Sequence, residues 1–147
     1  MQDMDIDELS EKIRAYVKSA RTGLPQEVFY LVSELTPLVN VDLLIKDGEG
    51  RTLLTWRADK FYGPGWHVPG GIIRFKEYAS ARGHAVALAE LGASVEIEQH
   101  PLAVREVMAP NRDIRGHFIS LLYRCKLLSQ PNPETQSAQD APTHGQW

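Results

Sequence analysis

Gly63-Pro64-Gly65-Trp66-His67-Val68-Pro69-Gly70-Gly71, followed by Glu77 and then by Ala89-Glu90-Leu91-Gly92, is the stretch that decides the fold. It reads as a strand, a glycine turn whose backbone carbonyls and amides are unshielded, and a helix that places a carboxylate beside the turn. Glycine permits close backbone approach by a ligand. The run Glu77 to Leu91 lacks proline and is rich in alanine, which predicts the helix, and Gly92 is the residue expected just past its end. Gly83 inside it costs about 1 kcal/mol against alanine. Mg²⁺ prefers oxygen ligands and combines one or two carboxylates with substrate phosphate oxygens and water, so a glycine turn beside a helical acid suits it.

Upstream, Leu38 to Ile45 is rich in aliphatic and β-branched residues, Asp47-Gly48-Glu49-Gly50 is turn chemistry, and Arg51 to Arg57 continues as a second run. Together they predict a β-hairpin. Ahead of them, Asp5 and Glu8 mark a helix start, with Leu9, Ile13, Tyr16 and Val17 on one face, until Gly23-Leu24-Pro25. Val28 to Val32 is too short for periodicity to choose between helix and strand. Downstream, Ser94–Glu98, Leu102–Val107 and His117–Cys125 read as strands, with a polar loop over Met108–Gly116. From Ser129 the chain is low in hydrophobicity and rich in turn formers, which predicts a flexible tail. The domain reading is a helical arm over 1–33, one compact domain over 34–128 and the tail over 129–147.

The 147 residues allow one domain, and 43% hydrophobic with 24% charged residues is the composition of an ordinary globular protein. A net charge of -3 without a basic stripe argues against nucleic acid as a partner. The polar start Met1-Gln2-Asp3-Met4-Asp5 is unlike a secretory signal, and no apolar run approaches the ~20 residues of a membrane span. The expectation is a cytoplasmic protein with no membrane partner, and the amphipathic arm offers a surface for a homodimer. Cys125 is the single cysteine, which excludes an intramolecular disulfide, and its strand setting makes it a packing residue.

The decisive stretch resembles the box of the Nudix hydrolases, G-x5-E-x7-R-E-U-x-E-E-x-G-U with U a bulky aliphatic residue. Gly71, Glu77, Glu90 and Gly92 match it, whereas Ala85, Val86 and Ala89 replace the box arginine and two of its glutamates. Almost the same losses characterise the GDP-mannose mannosyl hydrolase branch, to which Thr36–Asp42, Leu53–Arg57, Trp66–Gly71 and Ala89–Gly92 are also similar. This resemblance implies an α+β Nudix fold, a mixed β-sheet flanked by helices, with the amphipathic helix added at the N-terminus.

The resemblance further implies a small-molecule substrate, a nucleoside diphosphate derivative, and Mg²⁺ as cofactor, with Mn²⁺ as a substitute. Glu90 and the Gly70 carbonyl would hold the metal. Glu77 is divided between a metal ligand and a hydrogen-bonding role at the loop-helix junction. Arg57 would contact the diphosphate and assist its departure, and Asp42 would sit near the sugar. Phe118 stands where the branch carries a tyrosine, and Ile72 and Ala85 stand where it carries arginines. Arg74, Arg105, Arg112 and Arg115 are the candidates to replace those cations, Arg74 first. His144 is the downstream histidine available as general base, although its spacing differs from that of the branch, whose members also carry a further helix beyond this point.

Three functions follow as expectations. They are hydrolysis of a nucleoside diphosphate sugar at the anomeric carbon, pyrophosphate cleavage, and a catalytically silent nucleotide-binding module. Trp66 reads as core, and His67 and His117 as packed or hydrogen-bonded, because no paired histidine spacing accompanies them.

Overall fold

The computed structural model describes residues 5–138 and 140–147. Met1 to Met4 of the expected arm and Gln139 of the expected tail lie outside the described residues. The chain runs α1 (Ile6–Tyr16), a short 3-10 turn, α2 (Gln26–Leu35), β1 (Leu38–Ile45), β2 (Thr55–Arg57), β3 (Gly65–His67), β4 (Gly70–Ile72), α3 (Ala79–Leu91), β5 (Val95–Ile97), β6 (Ala103–Met108) and β7 (His117–Leu127). The main sheet has the order β4-β1-β7-β5, with β6 also pairing with β7. β1 and β7 are parallel from Leu38 opposite Phe118 to Ile45 opposite Cys125, and the other pairs are antiparallel, so the sheet is mixed as expected. Among the described residues no helix is long and apolar enough to cross a membrane.

Alternation along β1 divides the molecule. Val41, Leu43 and Ile45 are buried and meet Val86, Ala87 and Leu91 of α3, along with Tyr123 and Cys125 of β7. Asn40 and Asp42 therefore face the opposite side, because successive side chains of a strand point to opposite faces. Gly83 is needed where α3 crosses the sheet, since a Cβ there would stand 2.6 Å from Ile97 Cδ1 and 3.4 Å from Leu43 Cδ2. The same closeness explains why a residue that weakens helices occupies a helix interior.

Several expectations change. The turn after β1 forms, with Asp47 N–H donating to Arg51 O at 3.0 Å and Leu53 N–H to Ile45 O at 2.9 Å, but the return run then leaves β1. Both edges of β1 are taken, by β4 and β7, so Thr55–Arg57 pairs with β3 in a separate two-stranded sheet. The ambiguous segment around Val28 is helical, within α2. α3 begins at Ala79, two residues after the expected Glu77, because Lys76 has a left-handed φ of 57° and the Glu77 side chain turns back to the preceding loop. Trp66, expected in the core, is 43% exposed and lies edge-on to Trp56 with centroids 5.1 Å apart.

The segments α2 and 132–147 are bound to the body. In α2, Tyr30 packs edge-on to Phe61 at 5.7 Å, and buried Ser33 accepts the Arg115 N–H at 3.0 Å. Where the sequence predicts a flexible tail, Trp147 packs against the core and donates its ring N–H to Asn132 O at 2.8 Å, while Trp56 N–H donates to Gln146 O at 2.6 Å. One large aromatic side chain thus supplies the burial that the preceding residues lack. Trp147→Ala is expected to cost about 2 kcal/mol, lowering the melting temperature by roughly 5 °C. A melting temperature equal to that of the parent would mean that this residue is not docked.

Candidate active site

A cleft of about 510 Å³ opens on the face of β1 turned away from the core. Its floor follows from register. Asp42 lies opposite Gly70 of β4, Asn40 lies opposite both Ile72 of β4 and Ser120 of β7, and Phe118 pairs with Leu38 two positions back. All of these except Leu38 line the cleft. The wall is made by Thr55, Trp56 and Arg57 of β2 and His67 of β3. Glu90, at the end of α3, reaches in beside Gly70, and His144 and Gly145 close the rim.

The peptide geometry at Gly70 follows from its neighbours. Leu43 N–H donates to Pro69 O at 2.8 Å and Ile73 N–H donates to Val39 O at 2.9 Å. In an antiparallel pair the alternate residue turns its N–H and C=O the other way, so both polar groups of Gly70 face away from β1. They face the cleft edge beside Glu90, where the Gly70 amide favours the ionised carboxylate. A Cβ on Gly70 would collide with the Asp42 carboxylate, so glycine is required here by the packing of an acid against the backbone.

Glu90 accepts from Thr55 Oγ1 at 3.1 Å. Burial raises its carboxyl above the ordinary value, while the Thr55 hydroxyl, the Gly70 amide and the Arg57 charge partly offset that rise, and the Asp42 charge adds to it. Asp42 accepts from Asn40 Nδ2 at 2.8 Å and from the Ser120 hydroxyl. Its two partners give a carboxylate on an otherwise apolar strand the hydrogen bonds that burial demands.

Arg57 Nε donates to Asp59 at 2.6 Å, and its guanidinium lies over the Tyr62 ring at 4.4 Å. Burial opposes ionisation of Asp59, yet the Arg57 guanidinium and the amides of Tyr62 and Phe61 outweigh it and hold the carboxyl well below the usual range. His67 has its pKa lowered, first by burial and then by the Arg57 charge, and its Nε2 is buried without a hydrogen-bond partner. The ring is therefore neutral near pH 7. His144 Nδ1 accepts the Ala58 N–H at 3.1 Å, so the neutral ring carries its proton on Nε2 and acts as a donor from that atom.

Of the residues singled out from the sequence, Asp42, Arg57, Gly70, Glu90, Phe118 and His144 come together in the cleft, and Glu77 and Arg74 do not line it. Glu77 is engaged elsewhere. It takes two hydrogen bonds from Arg82, at 2.8 and 2.9 Å, and one from the Arg74 N–H at 2.9 Å. Against a burial cost, Arg82 holds its carboxyl below the ordinary value, as expected for a brace at the loop-helix junction. The Arg74 guanidinium lies against Gly23, since a Cβ on that glycine would be 3.7 Å from Arg74 Nε. Sequence reasoning missed Asn40, Thr55, Asp59, Tyr62 and Ser120. Alternation from Asp42 would have found Asn40, and the others depend on contacts distant in the chain.

The donor set facing the cleft is of oxygen: the Glu90 carboxylate, the outward Gly70 carbonyl and, next to Gly70, the Asp42 carboxylate. This chemistry fits Mg²⁺. Among the described residues no group of three His, Cys, Asp or Glu converges, so the cation would draw further ligands from substrate and water. The box position filled by Val86 belongs to the core, with Val86 Cγ2 only 2.7 Å from where a Gly71 Cβ would be.

Models of known protein families show no match to this chain. Over 110 residues it is 31% identical to the low-salt glycan biosynthesis protein Agl8 of Haloferax volcanii, an alignment covering 72% of this chain and 69% of that protein. A Nudix hydrolase from Nitrosomonas europaea superposes with a TM-score of 0.58 at 16% identity, over 67% of this chain and 64% of the other. A further Nudix hydrolase structure from the same organism gives 0.52 at 28% identity, over 67% of this chain and 53% of the other. The chain thus spans under two thirds of the length of either solved structure. With this fold and these relatives, the chain belongs to the Nudix hydrolases.

The state of Glu90 has a consequence for stability. A carboxyl whose folded pKa is raised penalises the fold when ionised, and the penalty vanishes below the unfolded value of 4.5. Glu90→Gln should therefore melt at a higher temperature than the parent at pH 7, with the gain shrinking as pH falls toward 4. A variant less stable than the parent at both pH values would contradict the burial argument.

Proposed function

We propose that the protein hydrolyses a nucleoside diphosphate sugar in a Mg²⁺-dependent reaction, with water attacking the anomeric carbon and the nucleoside diphosphate leaving. The observation that carries this reading is the meeting, in one cleft, of a desolvated helical carboxylate, an outward glycine carbonyl and an arginine. Glu90 and the Gly70 carbonyl would hold the metal, which when bound supplies positive charge to the departing diphosphate. The name of the Haloferax relative, a glycan biosynthesis protein, adds support, because glycan assembly draws on activated sugars.

The chain's own residues take the remaining roles. The bond from the anomeric carbon to the diphosphate oxygen breaks with its electron pair going to that oxygen, and Arg57 stabilises the charge that develops there. Asp59 and the face of Tyr62 orient Arg57 for this task. The water oxygen forms the new bond to carbon and loses a proton. His144, proposed from the sequence as the base, has Nδ1 occupied by the Ala58 amide, so its ring suits donation to a sugar hydroxyl. Asp42 retains lone pairs beyond its two hydrogen bonds and is the proton acceptor in this reading, as carboxylates are in inverting sugar hydrolysis.

A second reading, attack of water at phosphorus, is favoured by the engagement of His144 Nδ1, which leaves the sugar side without a histidine base. A third, a silent binding module, is motivated by Ala85, Val86 and Ala89. Turnover in ¹⁸O-labelled water separates the three: label in the sugar supports the first, label in a phosphate supports the second, and no product supports the third. Glu90→Gln is expected to abolish turnover, and Arg57→Gln to reduce kcat by about 10²-fold or more. Full activity of Glu90→Gln with Mg²⁺ would reject the metal assignment.

A further inference from the structure

Arg115, one of the four arginines the sequence offers as a replacement cation, lines the same cleft from the loop between β6 and β7. It is half-buried, its Nε is buried without a hydrogen-bond partner, and no carboxylate forms an ion pair with it among the described residues. Burial pulls its guanidinium below the ordinary value, and the Arg57 charge pushes in the same direction. Asp59, the nearby counter-charge, is paired with Arg57, and a half-buried cation beside another cation that lacks an ion-pair partner of its own is costly unless an anion completes it.

The chain nonetheless fixes Arg115 in place. Its backbone takes a left-handed φ of 55°, uncommon for a side chain of this size, and its N–H is held by Ser33 of α2 at 3.0 Å. Its guanidinium lies 4.8 Å from the Phe61 ring centroid and 5.8 Å from those of Phe29 and Tyr62. Arg112, one turn of the loop earlier, lies over Tyr62 at 4.1 Å and donates to Phe61 O at 2.9 Å. The rings of Phe61 and Tyr62 thus hold Arg57 and Arg115 together in the cleft, with Arg112 packed on Tyr62 but outside the cleft lining, and of these three arginines only Arg57 forms an ion pair with Asp59. Ile72, which also lines the cleft, contributes no charge.

We infer that Arg115 is a binding residue for the diphosphate group of the ligand, presented by the β6–β7 loop and positioned by Ser33 of α2. This rests on the reading of the cleft as a nucleoside diphosphate site and deepens it by naming a cation for the phosphates besides Arg57. It also gives α2 a function, since the helix carries both the hydroxyl that holds the Arg115 backbone and the Phe29 ring beneath its side chain.

The test uses the full chain in buffer containing EDTA, so that binding is read without metal or turnover, with inorganic pyrophosphate and GDP as probes in calorimetry. Arg115→Met keeps the apolar stem on Phe61 and removes the charge. It should weaken both probes by about tenfold or more, the effect of losing a charge-assisted hydrogen bond. Arg115→Lys should fall between it and the parent, and Arg51→Met, in the exposed turn after β1, should bind like the parent. Ser33→Ala should weaken binding while leaving the Arg115 charge intact. Pyrophosphate affinity in Arg115→Met within twofold of the parent overturns the inference, and if that variant does not melt cooperatively, unchanged affinity in Arg115→Lys and Ser33→Ala together does so. Either result, with Mg²⁺-dependent turnover intact, leaves the proposed reaction standing. A parent protein that binds neither probe and turns over no nucleotide sugar overturns both.

Discussion

The parallel pairing of Leu38–Ile45 with Phe118–Cys125 is the constraint on which the rest of the molecule depends. Parallel neighbours need a long connection, and here that connection contains β4, α3 and the glycine turn. Because side chains alternate, the pairing sends one set of residues to α3 and the other to the cleft. Slipping it by one residue would put Asp42 into the aliphatic core and Leu43 against the substrate side. The fold and the site are therefore fixed by the same register, and neither can be adjusted alone.

The cleft is built from charges whose desolvation is only partly compensated. Asp42 has two hydrogen-bond partners and Asp59 has an arginine and two amides, whereas Glu90 is left with a raised carboxyl and Arg115 with none of its side-chain donors matched by a carboxylate. The under-satisfied groups are of opposite sign and stand at different parts of the cleft. A ligand that brings a cation to the acid and phosphate oxygens to the arginine would relieve both at once.

The parts legible in the sequence were those where local pattern and tertiary environment agree. β1 matched its expected bounds because its apolar alternation is also its packing, and α3 ended at Gly92 because its last turn does. The hairpin failed beyond its turn because strand pairing depends on which edges are free, a property of the whole sheet. Glu77 could be narrowed only to two roles, since its partner Arg82 is five residues away on a helix whose start was itself uncertain from propensity. Arg115 stood among four candidate arginines and could not be separated from Arg74, because what separates them is contact with Ser33 on one side and Gly23 on the other. The docking of residues 132–147 was not legible for a simpler reason: their composition is that of a linker, and the contact that holds them rests on a single tryptophan.

Trp147 bears on how the protein is handled. Its half-buried indole packs against the core, its backbone carbonyl accepts the Ser137 N–H at 2.7 Å, and His144 and Gly145 just before it form the rim of the cleft. Whatever residues follow Trp147, whether the protein's own or a purification handle, would leave the surface next to the mouth through which ligands enter. Preparations carrying such a handle would then compare poorly with those tagged at the other end, and the discrepancy would show first in ligand affinity.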